Sequence, residues 1–153
     1  MGTDEPGGEV AWDLFCRAGL FSFPLAARFH KVVGVDSDAR TIRSAVKGAE
    51  RNSIGNTVFI AADSLDWISG AQTTRLPARP HRGGPPRSGW GPPGGRLSNV
   101  EVRRLIYVSC DPATLARDLK RLAKSMLRVI DIAIFDLFPQ THHVETVVRL
   151  EHR

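Results

Sequence analysis

The chain has 153 residues and a formal net charge of +5 at neutral pH, which is enough length for one domain with a real hydrophobic core. It contains no apolar run of about 18 residues, so a membrane span is not expected, and residues 1–9 lack the apolar centre of a signal peptide. Its two cysteines, Cys16 and Cys110, do not make a disulfide framework. The composition predicts a reduced, cytoplasmic protein with a disordered stretch at residues 1–9.

The positive charge is concentrated in one segment. Residues 71–104 hold seven arginines and one acid, Glu101, which leaves 14 basic and 15 acidic residues elsewhere. The net charge is therefore only weak support for an RNA-binding face. Residues 71–99 also carry six of the ten prolines and six of the fourteen glycines. We expect an irregular insert there, which is either a disordered basic loop or the product of out-of-frame reading of a GC-rich gene.

The first half of the chain alternates between patterns typical of strands and of helices. The pattern predicts strands at residues 10–14, 31–36 and 57–61, and helices at residues 20–29 and 38–52. In the second helix Ile42, Ala45, Val46 and Ala49 are expected to face inward. This βαβαβ order requires a parallel sheet with right-handed crossovers.

Two features at the strand ends indicate a ligand site. Asp36 ends the second strand, 23 residues after Asp13, and an acid at that place accepts hydrogen bonds from ribose hydroxyls in doubly wound folds. A helix-capping or solvated acid is the alternative interpretation. Glycine is favoured in the turn after the first strand because the backbone approaches the ligand there, and Gly19 lies in that turn.

Cys110 lies between a short apolar strand, residues 105–108, and a helix that begins at Pro112. Asp111 is the expected N-cap, and proline is favoured in the first helical turn. A thiolate at a helix N-terminus is stabilised by the helix dipole, and ligands of open α/β sheets bind at the carboxyl ends of the strands. A small buried cysteine is the alternative. Strands at residues 127–135 and 144–150 follow, as an expected antiparallel pair.

Two sequence blocks together resemble the RNA uracil-5-methyltransferase family. They are Ser-Cys-Asp-Pro-Ala-Thr-Leu-Ala-Arg-Asp at residues 109–118 and Phe-Asp-Leu-Phe-Pro-Gln-Thr-His-His-Val-Glu at residues 135–145. These enzymes use S-adenosylmethionine to form 5-methyluridine in tRNA or ribosomal RNA. The resemblance includes residues 11–68 and is lost across residues 71–104. It implies a Rossmann-like class I methyltransferase domain over residues 10–153, with a mostly parallel sheet, an antiparallel last strand and a degenerate fourth-strand region.

The resemblance also implies roles for individual residues. Cys110 is the expected nucleophile and Glu145 the expected proton acceptor, and the expected cofactor-binding residues are Phe15, Gly19, Leu20, Asp36 and Asp63. RNA is the expected substrate. Relatives usually carry an additional N-terminal RNA-binding portion, which we expect to be missing here and to be required for full activity. No metal site is expected, because His142 and His143 have no further ligands at suitable spacing.

The chain departs from the family pattern at two positions. Arg17 replaces the first glycine of Asp-Leu-Phe/Tyr-Cys-Gly-x-Gly, and a left-handed backbone there would cost a non-glycine residue roughly 1–2 kcal/mol. Gly84 stands where the family has an aspartate. Both departures favour an alternative hypothesis, an inactive or impaired remnant that acts as a binding module. A small-molecule methyltransferase is a third hypothesis, disfavoured by the Cys110–Glu145 pair.

Overall fold

The computed structural model describes residues 8–71, 81–83, 102–136 and 144–153. These residues form strands β1 (Val10–Leu14), β2 (Lys31–Asp36), β3 (Thr57–Ala61), β4 (His81–Gly83), β5 (Arg104–Ser109), β6 (Leu127–Phe135) and β7 (Glu145–His152). They also form helices α1 (Ser22–Ala26), α2 (Ala39–Arg51), α3 (Ser64–Ala71) and α4 (Pro112–Leu122). The expectation of a disordered N-terminus falls largely on residues 1–7, outside the described part, as does most of the expected insert.

All seven strands belong to one sheet with the order β3-β2-β1-β4-β5-β7-β6. Strands β1 to β5 pair in parallel, whereas β7 is antiparallel to both β5 and β6. The carboxyl ends of β1 to β5 therefore share one edge, and the amino end of β7 joins them there. Strands β2 and β3 are added on one side of β1, whereas β4 and the later strands are added on its other side. Ligands of such sheets usually bind at this switch point, between β1 and β4. The predicted Rossmann-like fold is confirmed.

A short fourth strand lies in the Arg/Pro/Gly-rich segment, where the sequence predicts a degenerate fourth-strand region. His81 pairs with Trp12 of β1 on one side and with Leu105 of β5 on the other. Only three residues take part. Pairing on both sides uses backbone N–H and C=O groups, so no apolar side-chain pattern is needed. Prolines limit such a strand because they lack the N–H, and the sequence has Pro80 and Pro85 on either side.

Helices cover the two faces of the sheet unequally. One face holds the larger core, to which β1, β2, β5, β7, α3 and α4 contribute, with buried Trp12, Leu14, Val35, Ile68, Tyr107, Leu115 and Leu150. The other face holds a small cluster under α1, formed by Ala11, Leu25, Phe29 and Val32. Helix α1 is shorter than predicted, and Val46 of α2, predicted to face inward, is exposed.

A buried hydrogen bond fixes α4 against β5. The Tyr107 hydroxyl donates to Asp118 Oδ2 over 2.8 Å, and both side chains are buried. At the start of the helix, Asp111 accepts hydrogen bonds from the backbone N–H groups of Ala113 and Thr114, which confirms the predicted cap. The short turn that carries Cys110 is therefore held at both ends, by the strand before it and the capped helix after it.

We expect Tyr107→Phe to lower the free energy of unfolding by about 1–3 kcal/mol, because Asp118 would lose a buried donor. Urea denaturation followed by circular dichroism measures the change. Asp118→Asn is the matched control, since its amide oxygen still accepts from Tyr107, and its loss should be smaller. A Tyr107→Phe loss below about 0.5 kcal/mol would contradict the assigned importance of this bond.

Candidate active site

The pairing of β5 with β7 brings Cys110 and Glu145 to one place. The antiparallel ladder ends with the pair Ser109 and Thr146. Cys110 follows Ser109 and Glu145 precedes Thr146, so both residues lie beside the same end of the ladder. Both side chains are partly exposed, as a group that meets an external substrate must be.

The loop between β1 and α1 has an unusual backbone. Phe15, Arg17 and Gly19 all have positive φ angles, of 58°, 49° and 89° respectively. Arg17 therefore adopts the left-handed conformation that is unfavourable for a non-glycine residue. A Cβ added to Gly19 would lie 2.9 Å from the Phe23 ring, so the glycine serves both conformation and packing. The turn therefore has the left-handed backbone that is typical of glycine-rich loops facing a ligand. Arg17 occupies one of its strained positions.

Asp36 holds this loop in place. Its Oδ2 accepts a hydrogen bond from the Arg17 backbone N–H at 2.9 Å, and its Oδ1 accepts from the Asp38 N–H at 2.9 Å. The carboxylate is 9% exposed. A carboxylate has about four acceptor sites, so two remain for a ligand. Asp36 thus has a structural role that sequence reasoning did not identify, in addition to its predicted one.

Asp63 and Ser64 connect the third strand to the loop. Asp63 is exposed and accepts from the Leu65 and Asp66 N–H groups, so that it caps α3. The Phe15 N–H donates to the buried Ser64 hydroxyl, which donates in turn to the Val35 carbonyl. Sequence reasoning missed both the helix and Ser64. The signal was present, because an Asp directly before a helix is a common cap.

The remaining predicted cofactor residues differ in exposure. Phe15 is half-buried against the larger core, whereas the Leu20 side chain is 74% exposed. Both lie in the β1–α1 loop at the carboxyl edge of the sheet. The predicted cofactor residues are thus grouped over β1, β2 and β3, and the predicted catalytic pair over β5 and β7. Strand β4 alone separates β1 from β5, and a spacing of about 4.8 Å per strand puts β1 and β5 roughly 10 Å apart.

A buried acid lies beneath the loop. Asp13 is fully buried at the end of β1, and its Oδ2 accepts a hydrogen bond from the Ser22 hydroxyl at 2.5 Å. Its Oδ1 has no hydrogen-bond partner. Burial raises the pKa of Asp13 to about 7, against the lowering effect of Ser22. Burial and the nearby Asp13 and Asp36 carboxylates also raise the pKa of the Cys16 thiol. Sequence reasoning used Asp13 only as a spacing marker.

The sheet order and the carboxyl-edge loop define a class I S-adenosylmethionine-dependent methyltransferase domain. The tRNA (uracil-5-)-methyltransferase family matches residues 83–153. The chain is 40% identical over 143 residues to the 23S rRNA (uracil(1939)-C(5))-methyltransferase RlmD of Pseudomonas aeruginosa strain UCBPP-PA14, over 94% of this chain and 32% of the relative. The family match and these relatives support an RNA uracil-5-methyltransferase family for this chain, which spans about a third of the length of the curated relatives that it matches.

Solved structures agree with this assignment. The Pyrococcus abyssi tRNA (uracil-54, C5)-methyltransferase in complex with S-adenosyl-L-homocysteine has a TM-score of 0.79 and 32% identity, over 95% of this chain and 35% of that chain. An rRNA methylase from Streptococcus thermophilus has a TM-score of 0.71 at 17% identity, over 96% of this chain and 88% of that chain. The second likeness concerns the fold alone.

The described residues lack two features. None of their helices combines the length and apolar character needed to cross a bilayer. They also contain no group of three or more His, Cys, Asp or Glu side chains placed to hold a metal ion. His142 and His143, considered in the sequence analysis, lie outside the described ranges.

We expect Arg17→Gly to raise the free energy of unfolding by about 1 kcal/mol, because glycine adopts φ near 49° without strain. Ala18→Gly is the matched control in the same loop. Ala18 is not among the positive-φ residues, so this change should lower the free energy of unfolding by about 0.5–1 kcal/mol through greater freedom of the unfolded chain. Equal effects of the two substitutions in urea denaturation would contradict the strain at Arg17.

The stability of the domain should depend on pH through Asp13. Its pKa rises from 3.8 to about 7 on folding, so the folded protein keeps a proton that the unfolded chain has released. The free energy of unfolding should therefore fall as pH rises from about 4 to about 7, by up to about 4 kcal/mol from this group. Asp13→Asn should remove that part of the slope, measured by urea denaturation at several pH values. The exposed Asp131→Asn should retain the wild-type slope.

Proposed function

We propose that this domain carries out methylation of uracil C5 in RNA, through a covalent adduct between Cys110 and uracil C6. The observation that carries the proposal is the β5–β7 register, in which a cysteine at a strand–helix turn and an acid both lie next to the last residue pair of the ladder. The family match supports the same reaction class.

The cofactor is S-adenosylmethionine, and the residues at the carboxyl edge of β1 to β3 fit it. Asp36 keeps acceptor sites for ribose hydroxyls. Gly19 and the left-handed turn around it bring backbone close to where a ligand lies. Asp63 would face the adenine side, and Phe15 and Leu20 would supply apolar contact. Arg17 is exposed at the loop surface and introduces a cation beside this site, where relatives have glycine.

The chemistry needs a nucleophile and a base because uracil C5 is a poor nucleophile. The Cys110 thiolate adds to C6, forming a C6–S bond and moving an electron pair toward C5 and the O4 enolate. S-adenosylmethionine, when bound, would supply an electrophilic methyl group, which bonds to C5 as the methyl–sulfur bond breaks and leaves its electron pair on a neutral thioether. Glu145 then accepts the C5 proton, and the electron pair of the C–H bond restores the C5–C6 double bond as the C6–S bond breaks. The thiolate is regenerated.

RNA must present the target base unstacked for Cys110 to reach C6. We infer that the partner is tRNA or ribosomal RNA, the substrates named for the relatives. The additional length of those relatives is where we expect most of the RNA contact to lie. Both cysteines are free, which suits the reducing cytoplasm.

A 5-fluorouridine-containing RNA oligonucleotide tests the nucleophile. Fluorine at C5 does not leave as a proton does, so the methylated adduct keeps its C6–S bond and appears as a shifted band on a denaturing gel. Cys110→Ala should abolish the band, and Cys16→Ala, the matched control on the cofactor side, should preserve it. An equal band from Cys110→Ala would overturn the assignment.

The base is tested with ordinary uridine. Glu145→Gln should still form the C6 adduct but release it slowly, so that covalent RNA–protein complex accumulates where the wild type shows little. The expected loss in turnover is about 100-fold to 10,000-fold, the usual contribution of a positioned base. Glu151→Gln, in the same strand but at its far end, serves as the control and should turn over normally.

A further inference from the structure

The buried Asp13 carboxyl group is not explained by packing alone. One oxygen is satisfied by Ser22, and the other has no partner although the side chain is fully buried. A buried polar atom without a partner destabilises a fold and calls for an explanation. An asparagine would accept the same Ser22 hydrogen bond without a charge, so the local fold does not require an acid here.

The sheet order places this acid between the two halves of the site. Strand β1 lies between β2, which ends at Asp36, and β4 and β5, which lead to Cys110. In the proposed function the ribose lies at Asp36 and the uracil at Cys110. The sulfonium group joins the ribose to the methyl that the uracil accepts, so it must lie over the end of β1. Because neighbouring strands are about 4.8 Å apart, the Asp13 carboxyl group on β1 is then near enough to the sulfonium for their charges to interact.

We propose that Asp13 is a specificity-determining residue that favours positively charged S-adenosylmethionine over the neutral thioether product, S-adenosylhomocysteine. The inference rests on the proposed function. Donor and product share the methionine ammonium and carboxylate groups and differ in the charge on sulfur. Opposite unit charges about 8 Å apart, at an effective dielectric constant of about 20, correspond to roughly tenfold or more in affinity. After methyl transfer the sulfur is neutral, so its attraction to the Asp13 carboxylate is lost and the product is released more readily.

The protonation of Asp13 should modulate this preference. Burial, with a further contribution from Asp36 on β2, raises the pKa of Asp13 to about 7, while Ser22 on α1 lowers it. Cys16, in the loop above, is the other ionisable group coupled to Asp13, and its raised pKa keeps its thiol neutral near pH 7. Asp13 is therefore mostly protonated at pH 6 and mostly ionised at pH 8. Binding of the cation should favour the ionised form and release a proton.

Calorimetric titration of the 153-residue chain with S-adenosylmethionine and with S-adenosylhomocysteine, at pH 6 and at pH 8, tests the inference. For the wild type, the ratio of the product Kd to the donor Kd should rise about three- to tenfold from pH 6 to pH 8. Asp13→Asn should give a ratio that does not change with pH and lies below the wild-type value at pH 8. Asp131→Asn, which removes an exposed acid at the far edge of the sheet, should behave as wild type.

A second variant keeps the test decisive if Asp13→Asn does not fold. Ser22→Ala removes a hydrogen bond that lowers the pKa of Asp13, so the rise of the ratio should move to higher pH. An unchanged midpoint in Ser22→Ala, or a wild-type ratio and slope in a folded Asp13→Asn, would overturn the role of Asp13 alone. Failure of the wild type to bind either ligand would instead overturn the proposed cofactor site, and this inference with it.

Discussion

The antiparallel pairing of β7 with β5 is the interaction on which the candidate site depends. Backbone hydrogen bonds along six residue pairs fix the register. A slip by one residue would turn every side chain of β7 to the opposite face of the sheet. Leu150 and Val148 would then leave the core, so burial of these two residues specifies the same register that brings Glu145 and Cys110 to the same end of the ladder. The stability of the fold and the geometry of the site are thus set by one ladder.

The part of the candidate site expected to bind the cofactor is held in place by side-chain hydrogen bonds and not by a strand ladder. Its loop residues adopt backbone conformations that are unfavourable by themselves, and hydrogen bonds from neighbouring elements hold them. Asp36 anchors the Arg17 N–H, and Ser64 anchors the Phe15 N–H. Strain in such a loop persists only where surrounding structure determines it. The buried acid under this loop adds a second unfavourable feature. The end of β1 and the loop after it therefore combine left-handed non-glycine residues with a buried carboxylate oxygen that has no hydrogen-bond partner.

Much of this architecture follows from sequence. Apolar runs and helix caps locate six of the seven strands and α2 and α4, because burial and capping leave local patterns. The short β4 leaves none, since it is held by backbone pairing on both sides. The position of Cys110 and Glu145 beside the same end of the ladder depends on strand register, which is a long-range property, and the roles expected for them follow only from family resemblance. The Asp13–Ser22 contact could not be predicted, because no local pattern connects an acid within an apolar strand to the first residue of the next helix.

The deep burial of Cys16 makes the two thiols chemically distinct. Cys16 is 3% exposed and its pKa is raised by burial and by two neighbouring carboxylates, so it is poorly placed to react with alkylating reagents, which attack thiolates. Cys110 lies partly exposed in the turn between β5 and α4. Among the cysteines of this chain, a maleimide fluorophore or a spin label would therefore report from this turn alone, without a substitution that removes the other sulfur. The native sequence thus already has one readily labelled thiol, that of Cys110, at the place where the substrate is expected to bind.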